Sequence, residues 1–589
     1  MRALRVDLST GQQHELSPPA AWRHLLLGGR GWTARLLSDL SPEIGPRDPE
    51  NPLLFATGPL AGTAAVGAGG GWVAALSPIT GLVTQGWAGG DWGAALRQSG
   101  YDLVIVTGQA ATWSVLEIGS TTPLRDAAGL LGLDTIATDQ ALRGNDERVH
   151  TLVLGPAGEV GVAYATPVVD GAFLVEPAGV GAVMAQKRLK AVVIREGAVI
   201  AAADAAALQR VDAAYTQRSI SDPLLGEWQR FGTALYVNRA NDLGAVTARN
   251  GQDGVFKGML ALSRTTLALK GKQTGRGCGN HVVPCYATLT TKEGSGVARP
   301  ELTVLLGFGA RCGVADLDTV IAAGQRCVRW GLDPTAAAAA IAFLMECQQH
   351  GLHSQPPLPW GDGATLLDTL DKIATKKGIG GVLGLGVGEM REIFWGSADW
   401  APQVRDGALP PLDPRPLPAF ALHFATSTWG GDYRMAAPLA ALLAQSPAAV
   451  PQTKGSVAEQ AVAQVIWHER WAAALDAAGF CRRLGLLAYN VLPQELADMV
   501  SAVVGETFTV GALAKLGERV VTLERLLVAR QGTPDTLPLR WRSTAVSAGR
   551  AAGHLPDLAG LLPLYYGAHG WDAQGVPGET RLRALDLLR

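Results

Sequence analysis

Short apolar runs separated by turn residues fill the first 200 residues of the chain, which is the pattern of β-strands. The runs are ALRVDL, YDLVIVTG, TLVLG and LKAVVIREG, with turns at Ser9-Thr10-Gly11, Gly58-Pro59 and Gly155-Pro156. The stretch LVTQGWAGGDWGAALRQSGYD predicts a glycine loop that opens a short helix ending near Gly100. The pattern therefore predicts a β-rich domain whose loops face one side.

After about residue 200 the apolar positions take helical spacing on alanine-rich faces. Asp316 and Asp333 precede two such helices as N-caps, and Gly331 and Gly351 follow them as helix stops. RDGALPPLDPRPLPAF cannot continue a helix because of its prolines, so it is interpreted as an interdomain connection. Helices resume beyond it and continue to ERVVTLERLLVAR. An α+β protein is predicted.

Composition narrows the class of protein. The chain has 589 residues, of which 48% are hydrophobic and 17% charged, so it has enough apolar surface for two to four buried domains. Its formal net charge of −2 lacks the excess positive charge that is typical of nucleic-acid-binding proteins. The start MRALRVDLSTGQ lacks the apolar region of a signal peptide, and PTAAAAAIAFLM is too short to span a bilayer. We expect a cytoplasmic protein. Six cysteines are too sparse for a disulfide scaffold.

Eight or more glycine-containing segments occur along the chain in one particular order, from residue 5 to about residue 577. They include LLGGRGWTARLL, GPLAGTAA, SPITGLVT, GGDWGAALRQSGYDLVIVTG, GPAGEVGVAYA, AGVGAVMAQKRLKAV, WQRFGTALYV, LDAAGFC and PLYYGAHGWDAQGVP. Together they resemble the aldehyde:ferredoxin oxidoreductase family. The resemblance implies a β-rich base domain at 1–200 and two mainly helical domains at 201–405 and 406–589. It also implies a tungsten or molybdenum bis-pterin, a [4Fe–4S] cluster, and oxidation of aldehydes to carboxylates with ferredoxin as acceptor.

The cluster site implied by the resemblance is altered at one ligand. The family's C-x2-C-x3-C run corresponds here to Cys278, His281 and Cys285, and its distant fourth cysteine to Cys481. Three thiolates and one imidazole can complete the shell of a cluster, and the same set also matches a Cys3His zinc site. A third interpretation is that Cys278 and Cys285 are ordinary buried thiols in a loop and that His281 is a surface residue. The other cysteines lie among apolar residues on predicted helices and are interpreted as core thiols: Cys312, Cys327 and Cys347.

The pterin site implied by the resemblance is altered more extensively. Asp333, Asp476 and the glycine pair Gly89 and Gly90 are retained. The family's phosphate-binding and pterin-binding side chains are replaced at Gly71, Trp87, Pro177, Val328 and Met435. Its acid/base positions hold Thr303 and Tyr433, with Glu301 matching only a neighbouring glutamate, and its dimer-interface metal ligands are replaced by Ala322 and Gln325. Losing charge-assisted contacts of about 1.5–3 kcal/mol each argues against a bound tungsto- or molybdopterin and against the interface metal.

Two functions follow from these replacements. In the first, the chain is a non-catalytic relative that serves as an iron–sulfur electron-relay or scaffold subunit, in a homo- or hetero-oligomer beside an active paralogue or a ferredoxin-like carrier. It predicts a filled or shrunken cavity around Gly71, Trp87, Pro177 and Val328. In the second, the chain is an active pterin-dependent oxidoreductase. It predicts an open cavity with compensating cations, for which the candidates are Arg30, Lys187 and Arg434. Isolated structural roles are expected for His423, His468, His554 and His569.

Overall fold

The structure is a computed structural model that describes residues 2–119, 121–177, 179–276, 279, 286–290, 296–428, 439–443 and 447–588. Two six-stranded sheets form the N-terminal part, as the strand pattern predicted. The first sheet has the order β2-β1-β6-β3-β4-β5 and the second the order β11-β10-β9-β12-β7-β8. The strands are β1 (Ala3–Asp7), β2 (Gln13–Leu16), β3 (Leu53–Ala56), β4 (Gly71–Leu76), β5 (Val83–Ala88), β6 (Leu103–Thr107), β7 (Ser114–Ile118), β8 (Leu124–Asp126), β9 (Val149–Val153), β10 (Val168–Val169), β11 (Phe173–Leu174) and β12 (Leu189–Arg195).

Six helices accompany these sheets, and the chain becomes mainly helical after residue 200, which confirms the α+β prediction. The N-terminal helices are α1 (Ala21–Leu26), α2 (Gly29–Ser38), α3 (Trp92–Gln98), α4 (Thr135–Arg143), α5 (Pro156–Glu159) and α6 (Val180–Gln186). The next elements are α7 (Ala205–Ile220), α8 (Pro223–Phe231), α9 (Val237–Leu243), α10 (Ala248–Gly251), α11 (Arg264–Lys270), β13 (Lys272–Arg276), β14 (Tyr286–Thr290), β15 (Gly296–Ala298), α12 (Leu302–Val304), α13 (Leu317–Trp330), α14 (Pro334–Gln349), α15 (Gly363–Ala374), α16 (Ile379–Leu383), α17 (Val387–Ile393), β16 (Gln403–Val404) and β17 (Gly407–Ala408). The last are α18 (Pro418–Thr426), α19 (Val457–Ala478), α20 (Pro493–Val504), α21 (Val510–Gln531), α22 (Leu539–Ser543), α23 (Leu558–His569) and α24 (Glu579–Ala584).

Several predicted boundaries are confirmed by their capping contacts. The Asp316 side chain accepts a hydrogen bond from the backbone of Thr319 at 3.0 Å, and Asp333 accepts one from Ala336 at 3.0 Å. Gly331 ends α13 with a φ of 69°, a left-handed conformation that glycine adopts without a steric penalty. The alanine-rich helix α14 is buried from Pro334 to Cys347. This burial explains why the helix carries small apolar residues on every face.

One predicted loop proved to be a strand. The glycine loop expected across LVTQGWAGG is limited to the residues after Ala88, because Val83–Ala88 pairs with β4 and places Trp87 opposite Trp72. The Pro-rich segment is non-helical until Pro418, as predicted, but it is not a solvated linker. Its Asp413–Arg415 ion pair is buried. Among the residues that the structure describes, no helix combines the length and apolarity needed to cross a membrane.

The N-terminal part packs directly against the end of α19. A Cβ atom on Gly58 would lie 2.1 Å from the carbonyl carbon of Ala478, and one on Gly29 would lie 2.1 Å from the carbonyl oxygen of Asp476. Only glycine allows such an approach of two backbones. The glycines of GPLAG and GGRG therefore hold Asp476 and the following residues against the first sheet.

Candidate functional site

Cys481 follows the C-terminus of α19 and is buried, with 4% of its surface exposed. Its backbone N–H donates to the carbonyl of Gly67 at 2.7 Å, and the N–H of Gly67 donates to the carbonyl of Gly279 at 2.6 Å. The N–H of Gly279 in turn donates to Asp91 Oδ1 at 2.7 Å. One residue, Gly67, thus joins Cys481 to the residue that follows Cys278 in the sequence. Cys278, His281 and Cys285 themselves lie outside the described residues, as do Tyr433, Arg434 and Met435.

Asp476, the retained acidic position of α19, lies in a buried ion-pair network. Arg482 Nε donates to Asp476 Oδ1 at 3.0 Å and Arg482 Nη2 donates to Oδ2 at 2.7 Å, while Arg30 Nη1 donates to Oδ2 at 3.2 Å. Arg30 also donates twice to Glu524, at 2.8 Å from both Nε and Nη2. Burial lowers the pKa of Arg30, but the carboxylates of Glu524 and Asp476 outweigh burial and raise it above its usual value. Two cations and two anions therefore neutralise one another inside the protein.

Trp72 of β4 forms the floor of this network. The Arg30 guanidinium carbon lies 5.9 Å from the centroid of the Trp72 ring and that of Arg482 lies 5.0 Å from it, both within the range of cation–π attraction. The Trp72 indole N–H donates to Gln85 Oε1 at 2.9 Å, and Gln85 Nε2 donates to Glu524 Oε1 at 2.6 Å. Strands β4 and β5 are thereby tied to α21 through polar side chains. We call Arg30, Trp72, Gln85, Asp476, Arg482 and Glu524 the Arg30 network.

Aromatic side chains lie against several glycines of the N-terminal part. A Cβ on Gly70 would lie 2.0 Å from the Trp87 ring, and a Cβ on Gly71 would lie 3.0 Å from the ring of Trp92. Gly89 and Gly90, predicted to bind a cofactor, lie against Phe173, whose ring would be 2.9 Å and 3.4 Å from a Cβ at the two positions. These four glycines are therefore in contact with indole or phenyl rings of the same chain.

The remaining predicted positions line small cavities. Thr303 and Val328 share a cavity of about 90 Å³ with the ion pair between Glu301 and Arg483. Pro177 and Asp333 line another of about 50 Å³. Both are smaller than the roughly 300–1,000 Å³ of typical ligand pockets.

Two further groups of predicted residues lie elsewhere. Ala322 and Gln325 line a surface recess of about 420 Å³ beside Arg326 and Arg329, and Val328 lines this recess as well. Within the described ranges, no three His, Cys, Asp or Glu side chains are grouped so that they could hold a metal ion. Lys187, a candidate compensating cation, donates instead to the carbonyls of Pro49 at 2.8 Å and Gly108 at 3.2 Å.

Two family profiles cover nearly the entire chain. The profile described as aldehyde ferredoxin oxidoreductase, N-terminal domain, matches residues 3–196, and the profile for domains 2 and 3 of the same protein matches residues 210–587. This chain belongs to the aldehyde ferredoxin oxidoreductase family. The resemblance found in the sequence motifs is confirmed.

Whole-length relatives agree with this assignment. The chain is 30% identical to a tungsten-containing aldehyde ferredoxin oxidoreductase of Pyrococcus horikoshii, with 100% of this chain and 98% of that protein covered. It is 23% identical to the WOR-like subunit of an aliphatic sulfonate oxidoreductase of Pyrococcus furiosus, covering 100% and 96% of the two chains. Its fold is similar to that of the active site complex BamBC of benzoyl coenzyme A reductase in complex with 1,5-dienoyl-CoA, with a TM-score of 0.83, 24% identity and coverage of 100% and 96%.

This aldehyde ferredoxin oxidoreductase family member has a second buried polar cluster that the sequence did not predict. Glu469 of α19 accepts the Tyr565 hydroxyl at 3.0 Å and lies 3.5 Å from His569 Nε2 and 3.8 Å from His423 Nδ1. Burial raises the pKa of Glu469, but His423 and His569 outweigh it and lower it to about 2. The prediction that these two histidines are isolated was wrong. The four-residue spacing of Tyr565 and His569 on α23 was the available signal, because such residues share a helix face.

A small polar cavity connects the two clusters. It measures about 30 Å³ and is lined by Arg30 and Glu524 on one side and by His423 and Glu469 on the other. A volume of this size holds one or two water molecules with several polar partners. The Arg30 network and the Glu469 cluster are therefore adjacent across α19 and α21.

His468 is a buried histidine held in its neutral form, and it makes stability sensitive to acid. Its Nδ1 donates to the carbonyl of Gln464 at 2.6 Å, which leaves Nε2 to accept the Tyr489 hydroxyl at 3.0 Å. Burial lowers its pKa from 6.5 to about 4. Since the unfolded chain binds the proton below about pH 6.5 and the folded chain does not until about pH 4, stability falls as the pH decreases through this window.

We expect this histidine to reduce stability by about 2 kcal/mol between pH 7 and pH 5. Urea unfolding of the native protein and of His468→Gln at both pH values measures the effect. The variant should lose less stability on acidification than the native protein. Identical losses in the two proteins would show that His468 does not take up a proton on unfolding.

Proposed function

We propose that this protein is a non-catalytic member of the aldehyde ferredoxin oxidoreductase family that relays electrons through an iron–sulfur cluster, as a subunit of a larger oxidoreductase assembly. The observation that carries the proposal is the Arg30 network. It lies where the resemblance to the family implies the pterin, and it satisfies Asp476 with two guanidinium groups of the protein itself. A buried carboxylate with these partners has little capacity left for a ligand.

A bis-pterin does not fit the side chains around this network. The Trp87 ring lies against Gly70, and Phe173 lies against Gly89 and Gly90, which leaves less room for phosphate groups beside these three glycines. Among the described residues, the cavities lined by Pro177 and Asp333 and by Thr303 measure about 50 and 90 Å³, which is too small for a two-pterin cofactor. Rearranging these side chains to admit the cofactor would be costly, because protein interiors are close-packed.

The acid/base position described here supports the same proposal. Thr303 is buried, with 2% of its surface exposed. Its hydroxyl does not gain or lose a proton near neutral pH, as a general acid or base must. Glu301, the nearby acid, is paired with Arg483. Chemistry on an aldehyde would therefore lack a proton donor or acceptor at this position.

Cluster binding is proposed for Cys278, His281, Cys285 and Cys481. In support, Cys481 and Gly279 are both hydrogen-bonded to Gly67, although they are 202 positions apart in the sequence. A Cβ on Gly279 would lie 2.6 Å from the backbone nitrogens of Ala68 and Gly69, so the chain beside Cys278 is held tightly. When bound, a [4Fe–4S] cluster supplies one-electron transfer, and an imidazole in place of one thiolate raises its potential.

An assembly with a second subunit is part of the proposal. A relative of this chain over its whole length is named the WOR-like subunit of an aliphatic sulfonate oxidoreductase, which supports the existence of family members that work within larger enzymes. An active paralogue or a ferredoxin-like protein would exchange electrons with the cluster.

The second candidate function is that of an active tungsten- or molybdenum-pterin oxidoreductase converting aldehydes to carboxylates with ferredoxin as acceptor. It is favoured by 30% identity over the whole length to proteins named as tungsten-containing aldehyde ferredoxin oxidoreductases. It requires the Arg30 network to open, with Arg30 and Arg482 released to phosphate groups.

Elemental analysis of the anaerobically purified protein separates the two functions. We expect about four irons with matching sulfide per chain and neither tungsten nor molybdenum. The Cys481→Ser variant should lose most of the iron because it removes a thiolate ligand. The matched control is Cys312→Ser, since Cys312 is buried in the core and its thiol donates to the carbonyl of Ala338 at 3.7 Å.

The other outcomes are equally informative. Near-stoichiometric tungsten or molybdenum would establish the second function and reject the first. One zinc without sulfide would assign a structural Cys3His site and remove the relay. Equal iron content in Cys481→Ser and Cys312→Ser would show that Cys481 is not a ligand.

A further inference from the structure

A large pocket lies in the C-terminal helices, and its lining includes no residue of the Arg30 network. It measures about 600 Å³ and runs along α19 from Glu459 to Ala474. Pro493 and the first turns of α21 form one wall, and Leu564 and Ala568 of α23 form the other. We call this cavity the α19 pocket. Its volume lies within the roughly 300–1,000 Å³ range of small-molecule sites.

Apolar and aromatic groups dominate its lining. Val462, Ile466 and Leu513 contribute aliphatic surface, and Trp467 and Trp471 lie stacked with ring centroids 6.0 Å apart and planes 24° from parallel. Stacked indoles present a broad, rigid surface to an apolar body. Leu564 is 42% exposed at the edge, so the pocket is open to solvent on one side. Covering these residues would release water from apolar surface.

Arg470 is the cationic group in the lining. Its Nη2 lies 3.1 Å from Glu518, and Glu518 is also paired with Arg581, so two guanidinium groups share one carboxylate. In the part of the chain that the structure describes, the buried Nε of Arg470 has no hydrogen-bond acceptor. Burial lowers the pKa of Arg470, which shows that its charge is poorly solvated. Because Arg470 and Arg581 share the single carboxylate of Glu518, an anion in the pocket would add a second counter-charge to this pair of guanidinium groups.

The other charged side chain of the lining does not compete for this role. Glu459 lies at the N-terminal end of the part of α19 that lines the pocket. Its carboxylate accepts hydrogen bonds from the backbone N–H and the hydroxyl of Ser456, both at 2.8 Å, in the capping box of α19. The N-termini of α20 and α21, which carry partial positive charge, both contribute to the wall. The lining therefore favours an anionic group over a cationic one.

We propose that the α19 pocket binds an amphipathic monocarboxylate, with its apolar body against Trp467 and Trp471 and its carboxylate on Arg470. This site is distinct from the proposed cluster and does not depend on the proposed function. The walls formed by α20, α21 and α23 enclose a volume suited to a small molecule. A second copy of the chain is the competing occupant, and the experiment below excludes or identifies it.

Isothermal titration of the purified full-length protein with decanoate tests the proposal, with decanol as the uncharged probe of equal chain length and acetate as the anion without a chain. We expect saturable binding of decanoate at one site, binding of decanol about tenfold weaker, and no binding of acetate. Arg470→Gln should bring decanoate to the affinity of decanol. Arg583→Gln, which alters an arginine that is 69% exposed in a surface pair, should change neither affinity.

Two exposed alanines on the first turns of α21 allow a matched pair of tryptophan substitutions, one inside the pocket and one outside it. Ala514 lines the pocket and Ala512 does not. Ala514→Trp should abolish binding of both decanoate and decanol, and Ala512→Trp should leave both unchanged. Sedimentation of the same variants records their oligomeric state.

Several results would overturn the proposal. One is equal affinity for decanoate and decanol in the native protein, because the Arg470 end would then have no role. Another is decanoate binding that survives Ala514→Trp, since the ligand would lie elsewhere. A dimer that Ala514→Trp dissociates, with no decanoate binding, would assign the pocket to a second copy of the chain.

Discussion

Replacing Arg30 with methionine is expected to lower the free energy of unfolding by about 3–5 kcal/mol, because it leaves a buried anion without its cation. Arg30 makes two 2.8 Å hydrogen bonds to Glu524, and both side chains are buried, with 5% and 2% of their surfaces exposed. Asp476 keeps Arg482 after the replacement, so Glu524 bears most of the loss. Urea unfolding followed by tryptophan fluorescence measures the change.

Two comparisons make this result specific. Arg583→Met removes the exposed pair with Glu579 and should cost no more than about 0.5 kcal/mol. Arg30→Met combined with Glu524→Leu should recover much of the loss, because apolar residues often replace a buried ion pair without penalty. A cost below about 1 kcal/mol for Arg30→Met would mean that water or a ligand solvates Glu524. That outcome would weaken the case for a filled pterin site.

Gly517→Ala is expected to cost about 3 kcal/mol, since it forces apart the two longest helices of the described chain. A Cβ at this position would lie 2.1 Å from the carbonyl oxygen of Arg470 and 2.7 Å from its carbonyl carbon. Backbone atoms cannot rotate away as a side chain does, so α21 would have to move relative to α19. The movement would also disturb Asp476 and Glu524, which belong to these helices.

Gly511→Ala on the same helix is the matched control. The nearest atom to its added Cβ is the Thr509 hydroxyl oxygen at 3.8 Å, so alanine should stabilise α21 by up to about 1 kcal/mol. Thermal and urea unfolding of both variants give the comparison. If Gly517→Ala were as stable as Gly511→Ala, the helices would not cross as closely as the structure places them.

The Arg30 network also links parts of the chain that are far apart in the sequence. Arg30 belongs to α2 and Glu524 to α21, so the network joins the N-terminal and C-terminal parts of the chain. A chain of this kind would keep the fold without depending on a cofactor for its stability.

Local sequence determined the elements of this protein because their signals lie within a few residues. Asp316 and Asp333 cap their helices, Gly331 ends α13, and the alanine-rich α14 is buried all round, as their patterns predicted. The motif order was sufficient for the family, since it survives where single residues change. The strand at Trp87 was missed because its pairing partner, β4, decides whether a glycine-rich stretch is extended.

Only the tertiary structure decided what the acidic and basic residues do. Arg30 and Glu524 are 494 positions apart, and nothing near either one indicates the other. His423 and His569 meet on Glu469 for the same reason, because three helices bring them to one carboxylate. Ion pairing and desolvation act over a few ångströms of space irrespective of distance along the chain, so a sequence shows which charges exist and the fold decides which of them neutralise each other.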